Sequence, residues 1–460
     1  MPYISGQYYP VRRIVFFLGE GALIFVAIFF MHMFFMGQDA FLLHENQCLI
    51  RTSLVTIVFM LSLYFFDLYD LDVYSSMADT ATRMTQAFGF GCIILAVIYY
   101  LFPSSIIPTR IFLLGYLLIC LLLALWRLFY ITALNKRLLA EPIIMLGAGK
   151  LAADIANVIM NRIDAGYQIA AIVGHEPPLF PIGDIPFYRH NENLTDICLR
   201  HKSEIIVAAL DDRRGTMPVH DLIDCKLNGV RILAGISFFE KLTGKIMVER
   251  VNPDWIIYSS GFSTGRFLNA VKRGIDILLA ALGLALAAPI MLISAIIIKL
   301  ESPGSVFYLQ TRVGLRGKPF KVIKFRSMRH DAEKEGAVWA AANDSRVTRF
   351  GGFARQVRID ELPQLWNVLK GEMSFVGPRP ERPVFVEMLS RKIPYYSLRH
   401  NIKPGVTGWA QICYPYGASE EDALRKLEFD LYYLKNISLS LDSWIIFKTI
   451  KTVLFRKGGR

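Results

Sequence analysis

RIDELPQLWNVLKGEMSFVGPRP, residues Arg358 to Pro380, sets two carboxylates, Asp360 and Glu361, side by side shortly before Pro363, with arginines before and after them. In isolation such a pair reads as the acidic start of a helix, complementing its dipole. The surrounding cations argue otherwise. Arg355 lies five residues before Asp360 and Arg358 two before, while Arg379 sits in a turn stiffened by Pro378 and Pro380, where a planar guanidinium can grip phosphate bidentately. A carboxylate is a competent nucleophile toward a phosphoryl group when a cation neutralises the oxygens it must approach. Adjacent helix residues point about 100° apart. One carboxylate of the pair can therefore face a phosphate while its neighbour holds a hard cation such as Mg²⁺.

The composition agrees with a phosphate-handling chain at a membrane. The 460 residues are 53% hydrophobic with a mean hydropathy of +0.38 and a formal charge of +12. Residues 267–460 hold 30 Lys/Arg against 17 Asp/Glu, so the basic character belongs to the C-terminal part. That bias suits nucleotides, phosphates or acidic lipid headgroups, and the apolar context disfavours nucleic acid. The six cysteines form no CxxC pair and the eight histidines no HxxH or HExxH grouping, which leaves free thiols and no zinc site as the expectation.

Four apolar runs come first, at about Ile14–Met36, Leu49–Phe66, Ala87–Phe102 and Ile111–Tyr130, each near the length needed to span a bilayer. Arg12, Arg13, Arg83, Arg127, Lys136 and Arg137 fall on one side of a four-span arrangement and only Arg51 and Arg110 on the other, which puts residue 140 in the cytosol. Glu20, inside the first run, is either functional or snorkels to the helix end. From Glu141 the texture becomes strand, Gly-rich turn and helix, with Gly147, Gly149 and Ala152 in G-x-G-x-x-A positions. This predicts a Rossmann-like α/β domain whose Gly147 and Gly149 amides are weak candidates for holding a nucleotide phosphate. A regulatory or oligomerising domain is an equally good reading of that turn. The next apolar segment, KRGIDILLAALGLALAAPIMLISAIIIKL, is long enough to cross, but crossing would carry the basic module outside. Flanking Lys272, Arg273 and Lys299, with Pro289 near the middle, favour a re-entrant helix over an ordinary fifth span.

KFRSM (Lys324–Met328), the run from Asp344 to Pro380, and KPGVTGWAQ (Lys403–Gln411) then follow in order. With these motifs the chain resembles the bacterial sugar transferases of the polyprenyl-phosphate phosphoglycosyl transferase family, in a long form with four N-terminal membrane helices and a Rossmann-like middle domain. The resemblance spans essentially the whole chain and is most specific over the last 190 or so residues. It implies a multi-domain membrane protein: a four-helix transmembrane bundle over 1–138, a Rossmann-like cytosolic domain over 139–252, a linker over 253–268, and an α-rich membrane-associated catalytic domain over 269–460 with a re-entrant helix at 270–300.

The resemblance further implies transfer of a hexose-1-phosphate from a UDP-sugar to undecaprenyl phosphate, with release of UMP, on the cytosolic face of a bacterial inner membrane. Asp360 is then the nucleophile and Glu361 the Mg²⁺ ligand. The Arg355 position binds the lipid phosphate and the turn around Arg379 the phosphates of the nucleotide sugar, while Arg358, Lys324, Arg326, Lys272 and Arg273 are further candidate substrate contacts. The resemblance also implies a homodimer through the middle domain. The competing expectation is a non-catalytic, nucleotide-sensing membrane scaffold. A last apolar face, Ile446, Ile450, Val453 and Leu454 opposite Lys448, Lys451 and Thr452, suits a helix in the membrane interface or one packed on the core.

Overall fold

The computed structural model describes the chain except residues 1–2, 5–6, 9, 37–43, 70–76, 136–139, 163–164, 179, 182, 212–216, 252, 330–345, 416, 418 and 455–460. Lys136, Arg137 and Asp344 lie outside the described residues, as does the side chain of Leu454. The chain divides into two compact units, one holding Tyr8–Gly235 and the other Ile236–Arg460.

The first unit opens with four apolar helices, α1 (Val11–Met36), α2 (Glu45–Phe65), α3 (Met77–Leu101) and α4 (Thr109–Asn135). They share a core in which Ile24 and Ile28 of α1 meet Val55 and Phe59 of α2, Ala87 and Leu95 of α3, and Ile119 and Leu123 of α4. Their other faces stay apolar yet exposed, as at Leu18, Phe34, Ile50, Leu117 and Phe129, a pattern that suits lipid and not water. The third helix begins ten residues before its apolar run, because the polar stretch from Met77 also winds into helix. Glu20 does not snorkel. It is fully buried and pairs with Arg127 of α4, Nε to Oε1 at 2.8 Å and Nη2 to Oε2 at 3.0 Å, so its charge is compensated within the helices.

A parallel sheet follows, built from β1 (Glu141–Leu146), β2 (Tyr167–Gly174), β3 (Phe187–Arg189), β4 (Ile205–Ala208) and β5 (Arg231–Ala234) in the order β3-β2-β1-β4-β5. The order reverses beside β1, and the Gly-rich turn leaves the carboxyl end of that strand, as in a Rossmann fold. Gly147 has φ +125°, and a Cβ there would meet the Ala209 carbonyl oxygen at 2.4 Å, so only glycine fits.

The second unit holds a 36-residue helix, α5 (Arg266–Glu301), about 54 Å long at 1.5 Å per residue. The helix is continuous through Pro289, which removes one internal backbone hydrogen bond near its middle. Its buried positions, Asp276, Ala280, Ala287, Ser294 and Ile298, recur at four and seven, which makes one narrow packed stripe. Leu278, Leu286, Leu292 and Leu300 on the other faces are each more than 60% exposed. With α5, five helices among the described residues are long and apolar enough to cross a membrane, and the chain is a membrane protein with an α/β domain.

Against the α5 stripe pack an antiparallel hairpin (Phe307–Val313 with Pro319–Phe325) and the short helix Gln364–Lys370, through Ala280, Val322, Leu365 and Val368. A second core gathers around Trp409, Tyr396, Tyr432, Leu431, Leu441 and Ile445. Ile246, Val248 and Val251 join that core, so residues 236–251 belong with the C-terminal unit. In the final helix, Leu439–Leu454, Leu441 and Ile445 are buried in this core and Ile446 packs against it, while Ile450 and Val453 remain exposed. Core packing claims its first half and leaves an apolar surface on the second.

Candidate active site

Asp360 and Glu361 sit not on an α-helix but on a single 3-10 turn, Ile359–Glu361, between the helices Arg349–Gln356 and Gln364–Lys370. Arg358, just before it, holds the left-handed conformation at φ 60° and ψ 18°. A non-glycine residue in that region carries strain, and here it breaks the first helix and redirects the chain so that both carboxylates point inward. Asp360 is 7% exposed and Glu361 9%.

The two carboxylates have opposite surroundings. Glu361 is surrounded by cations: Arg379 Nη2 donates to Oε1 at 2.7 Å, Lys324 Nζ to Oε1 at 3.2 Å, and Arg358 Nη1 reaches Oε2 at 3.5 Å. Burial alone would raise its pKa, but Arg379, Lys324 and Arg358 outweigh it and hold the carboxyl well below the ordinary range. Asp360 Oδ1 is buried and has no hydrogen-bond partner among the described residues. Burial, with the charge of Glu361, pushes the pKa of Asp360 up to about 6 against the pull of Lys324, Arg355 and Arg379. It is thus a poorly solvated carboxylate, ionised at neutral pH, near three cations of which two, Lys324 and Arg379, already face its neighbour.

Each cation is placed by its own element. Lys324 comes from the hairpin, and the fully buried Asn367 ties that strand to the helix behind the carboxylates, accepting from Ile323 N at 3.0 Å and donating to the Lys321 carbonyl at 2.8 Å. Burial lowers the pKa of Lys324 in spite of the attraction of Glu361. Arg355 Nε donates to Ser327 Oγ at 2.8 Å, and its terminal nitrogens carry no hydrogen bond among the described residues, which leaves them for an anion.

The structure thus brings Asp360, Glu361, Lys324, Arg355, Arg358 and Arg379 together and gives the other candidates different work. Arg326 closes the carboxyl end of α5, donating to the carbonyls of Pro303 and Ser302, both at 2.7 Å, so its side chain is spent on the helix end. Arg273 does the same for the helix Gln364–Lys370, donating to Val368 and Leu369 carbonyls at 2.6 Å. Lys272 is paired with Asp442 at 2.5 Å and donates to Tyr433 and to the Val376 carbonyl. In the α/β domain the amides of Lys150 and Leu151, which a phosphate at the Gly147–Gly149 turn would take, receive the Asp211 carboxylate at 2.7 and 3.0 Å. Asn367 and Ser327 were not singled out from sequence. A lone asparagine inside the apolar run LPQLWNVLK is the signal that could have marked the first.

A family model for bacterial sugar transferases matches residues 267–456, the whole region that carries this site. UDP-glucose:undecaprenyl-phosphate glucose-1-phosphate transferase of Escherichia coli K12 is 39% identical over 324 residues, 69% of this chain and 67% of the relative. The Rhizobium leguminosarum exopolysaccharide production protein PSS is 41% identical over 195 residues, which is 41% of this chain and 98% of the relative. The chain belongs to the bacterial sugar transferase family. A further member, the UDP-N-acetylgalactosamine-undecaprenyl-phosphate N-acetylgalactosaminephosphotransferase of Aeromonas hydrophila, is 44% identical over 239 residues, 52% of this chain, and the match spans just over half of that relative at 56%. The 195-residue match accounts for almost the whole of the PSS relative.

Proposed function

We propose that this chain transfers a hexose-1-phosphate from a UDP-sugar to undecaprenyl phosphate, releasing UMP and forming an undecaprenyl-diphosphate-linked sugar that starts exopolysaccharide or O-antigen assembly. The observation that carries the mechanism is the asymmetry of the carboxylates: Glu361 anchors the cations and Asp360 is left bare among them. Asp360 attacks the sugar-bearing phosphorus of the UDP-sugar. A bond from a carboxylate oxygen to phosphorus forms, the bond from phosphorus to the bridging oxygen breaks, and UMP leaves with that oxygen. An oxygen of undecaprenyl phosphate then attacks the same phosphorus and returns Asp360 to its carboxylate form. Arg379 grips the phosphates of the donor and Arg355, through its unoccupied terminal nitrogens, the lipid phosphate.

Two adjacent carboxylates, one with an unpaired buried oxygen, fit the habit of Mg²⁺, which takes one or two protein carboxylates and completes its shell with water and substrate phosphate. Glu361 would hold the ion, and Mg²⁺ bound there would neutralise charge on the donor diphosphate. In the orientation given by the Lys/Arg bias, the four-helix bundle spans a bacterial inner membrane and the long helix α5 enters and leaves it from the cytosolic side. Its flanking Lys272, Arg273 and Lys299 and the exposed Leu286, Leu292 and Leu300 support that placement.

Detergent-solubilised enzyme given a UDP-sugar and Mg²⁺ without acceptor is expected to release about one UMP per chain and to carry the phosphosugar on Asp360. If UMP appears only with undecaprenyl phosphate present and no adduct can be trapped, the covalent route is wrong and Asp360 serves a direct transfer.

A further inference from the structure

The turn Pro378–Arg379–Pro380 offers three consecutive carbonyls, and its two prolines deprive it of the backbone donors that would answer them. Each carbonyl is held from elsewhere. Pro378 O accepts from Gly405 N at 2.9 Å, Arg379 O from Arg399 Nη2 at 2.9 Å, and Pro380 O from Arg312 Nη1 at 3.0 Å. Gly405 can approach because it lacks a Cβ, which would meet Gly377 N at 2.2 Å.

Arg399 is itself locked. It is 6% exposed, donates through Nη1 to Tyr396 OH at 2.7 Å, and its Nη2 lies 2.9 Å from Asp430 Oδ2, a close ion pair whose hydrogen-bond alignment is given instead to the Arg379 carbonyl. Tyr396 and Asp430 are both buried, so this guanidinium has one position to occupy. A buried arginine wedged between a phenol, a carboxylate and a backbone carbonyl fixes the peptide at Arg379, and through it the direction in which the Arg379 side chain leaves the turn.

We infer that Arg399, assisted by Arg312, is a positioning residue for the UDP-sugar step: it holds the backbone of Arg379 so that this guanidinium meets Glu361 and the donor phosphates together. The inference rests on the reading of Arg379 as a donor-phosphate ligand. A side chain held within a fraction of an ångström contributes far more to phosphate binding than one that must be ordered on arrival. Arg399→Lys keeps a positive charge beside Asp430 but cannot reach the hydroxyl, the carboxylate and the carbonyl at once.

The test is a double-mutant cycle on the full chain in detergent, reading acceptor-free UMP release against the concentration of UDP-glucose or UDP-N-acetylgalactosamine. Arg399→Lys is expected to raise the KM for the UDP-sugar about ten-fold, with the KM for undecaprenyl phosphate in the full reaction within about two-fold of wild type. In an Arg379→Ala background the same substitution should change the donor KM less than about two-fold, because the side chain it positions is gone. If Arg379→Ala raises the donor KM but Arg399→Lys acts undiminished in that background, the positioning role is overturned and the reading of Arg379 stands. If Arg379→Ala leaves the donor KM unmoved, that reading falls and the positioning role with it. Should Arg399→Lys fail to fold, Tyr396→Phe takes its place in the cycle. It removes only the hydroxyl that orients Arg399 and must show a smaller shift of the same sign that vanishes without Arg379.

Discussion

Replacing the proposed nucleophile should make the protein more stable as it abolishes the reaction. In Asp360→Asn the side chain keeps its size and loses a charge that burial disfavours. The rise of the Asp360 pKa from its ordinary 3.8 to about 6 means that the folded protein binds this proton more tightly than the unfolded chain does. As pH rises from about 4 to about 6 the unfolded state gives up the proton first, so wild-type stability falls through that window, and above it the full penalty of about 3 kcal/mol is present. The same relation gives about 1.5 kcal/mol at pH 5. An asparagine carries no such pH-dependent cost. Thermal unfolding of wild type and Asp360→Asn in one detergent should therefore show the variant more stable at pH 8 by up to about 3 kcal/mol, at about 2–4 °C of Tm per kcal/mol for a unit of this size, with about half that gain at pH 5. Acceptor-free UMP release and the protein adduct should both vanish. A variant no more stable than wild type at pH 8, or one whose gain is equal at pH 5 and pH 8, would refute the argument from the buried carboxylate.

The neighbouring substitution should have the opposite sign. Glu361→Gln leaves Arg379, Lys324 and Arg358 without their common anion, which should cost about 1–3 kcal/mol once the one-third exposure of the two arginines is discounted, and should raise the Mg²⁺ concentration needed for half-maximal rate. Because the Glu361 pKa is depressed, its contribution is present above the ordinary carboxylate value of about 4 and is lost only as pH falls below it, so the deficit should persist unchanged from pH 5 to pH 8. Arg355→Ala should raise the KM for undecaprenyl phosphate about ten-fold while acceptor-free UMP release stays within about two-fold, and an equal loss in both assays would contradict a lipid-phosphate role. Arg326→Met should lower stability by about 2–4 kcal/mol, through the carbonyls of Ser302 and Pro303 left unanswered, with both KM values of the folded fraction unchanged. Single cysteines placed after Lys299 should be labelled only from the cytosolic side, and periplasmic labelling would overturn the re-entrant placement of α5.

The sequence alone determined the parts of this protein that rest on local periodicity and local chemistry. Apolar runs of bilayer length became helices, the strand-turn-helix texture after Glu141 became a parallel sheet with its glycine turn at the switch point, and the motifs from Lys324 to Gln411 marked the family. The carboxylate pair was legible because Arg355, Arg358 and Arg379 are close to it along the chain or held in a proline-bounded turn. Tertiary structure alone decided which charges face one another. Lys272, Arg273 and Arg326 look in sequence like further phosphate ligands, but Arg273 and Arg326 pack beside helix ends and are drawn to the unanswered carbonyls there, while Lys272 is taken by Asp442, Tyr433 and the Val376 carbonyl, and each proximity is set by packing. Asp211 reaches the amides of Lys150 and Leu151 across some sixty residues of chain, and Glu20 finds Arg127 across 107. The unequal treatment of Asp360 and Glu361 has the same origin. Neighbours in sequence share composition, spacing and helix signals, so nothing local separates them. Only the 3-10 turn set by a left-handed Arg358, with Lys324 and Arg379 brought from other elements, surrounds one carboxylate with cations and leaves the other buried with an oxygen that has no hydrogen-bond partner among the described residues, so that desolvation dominates its charge.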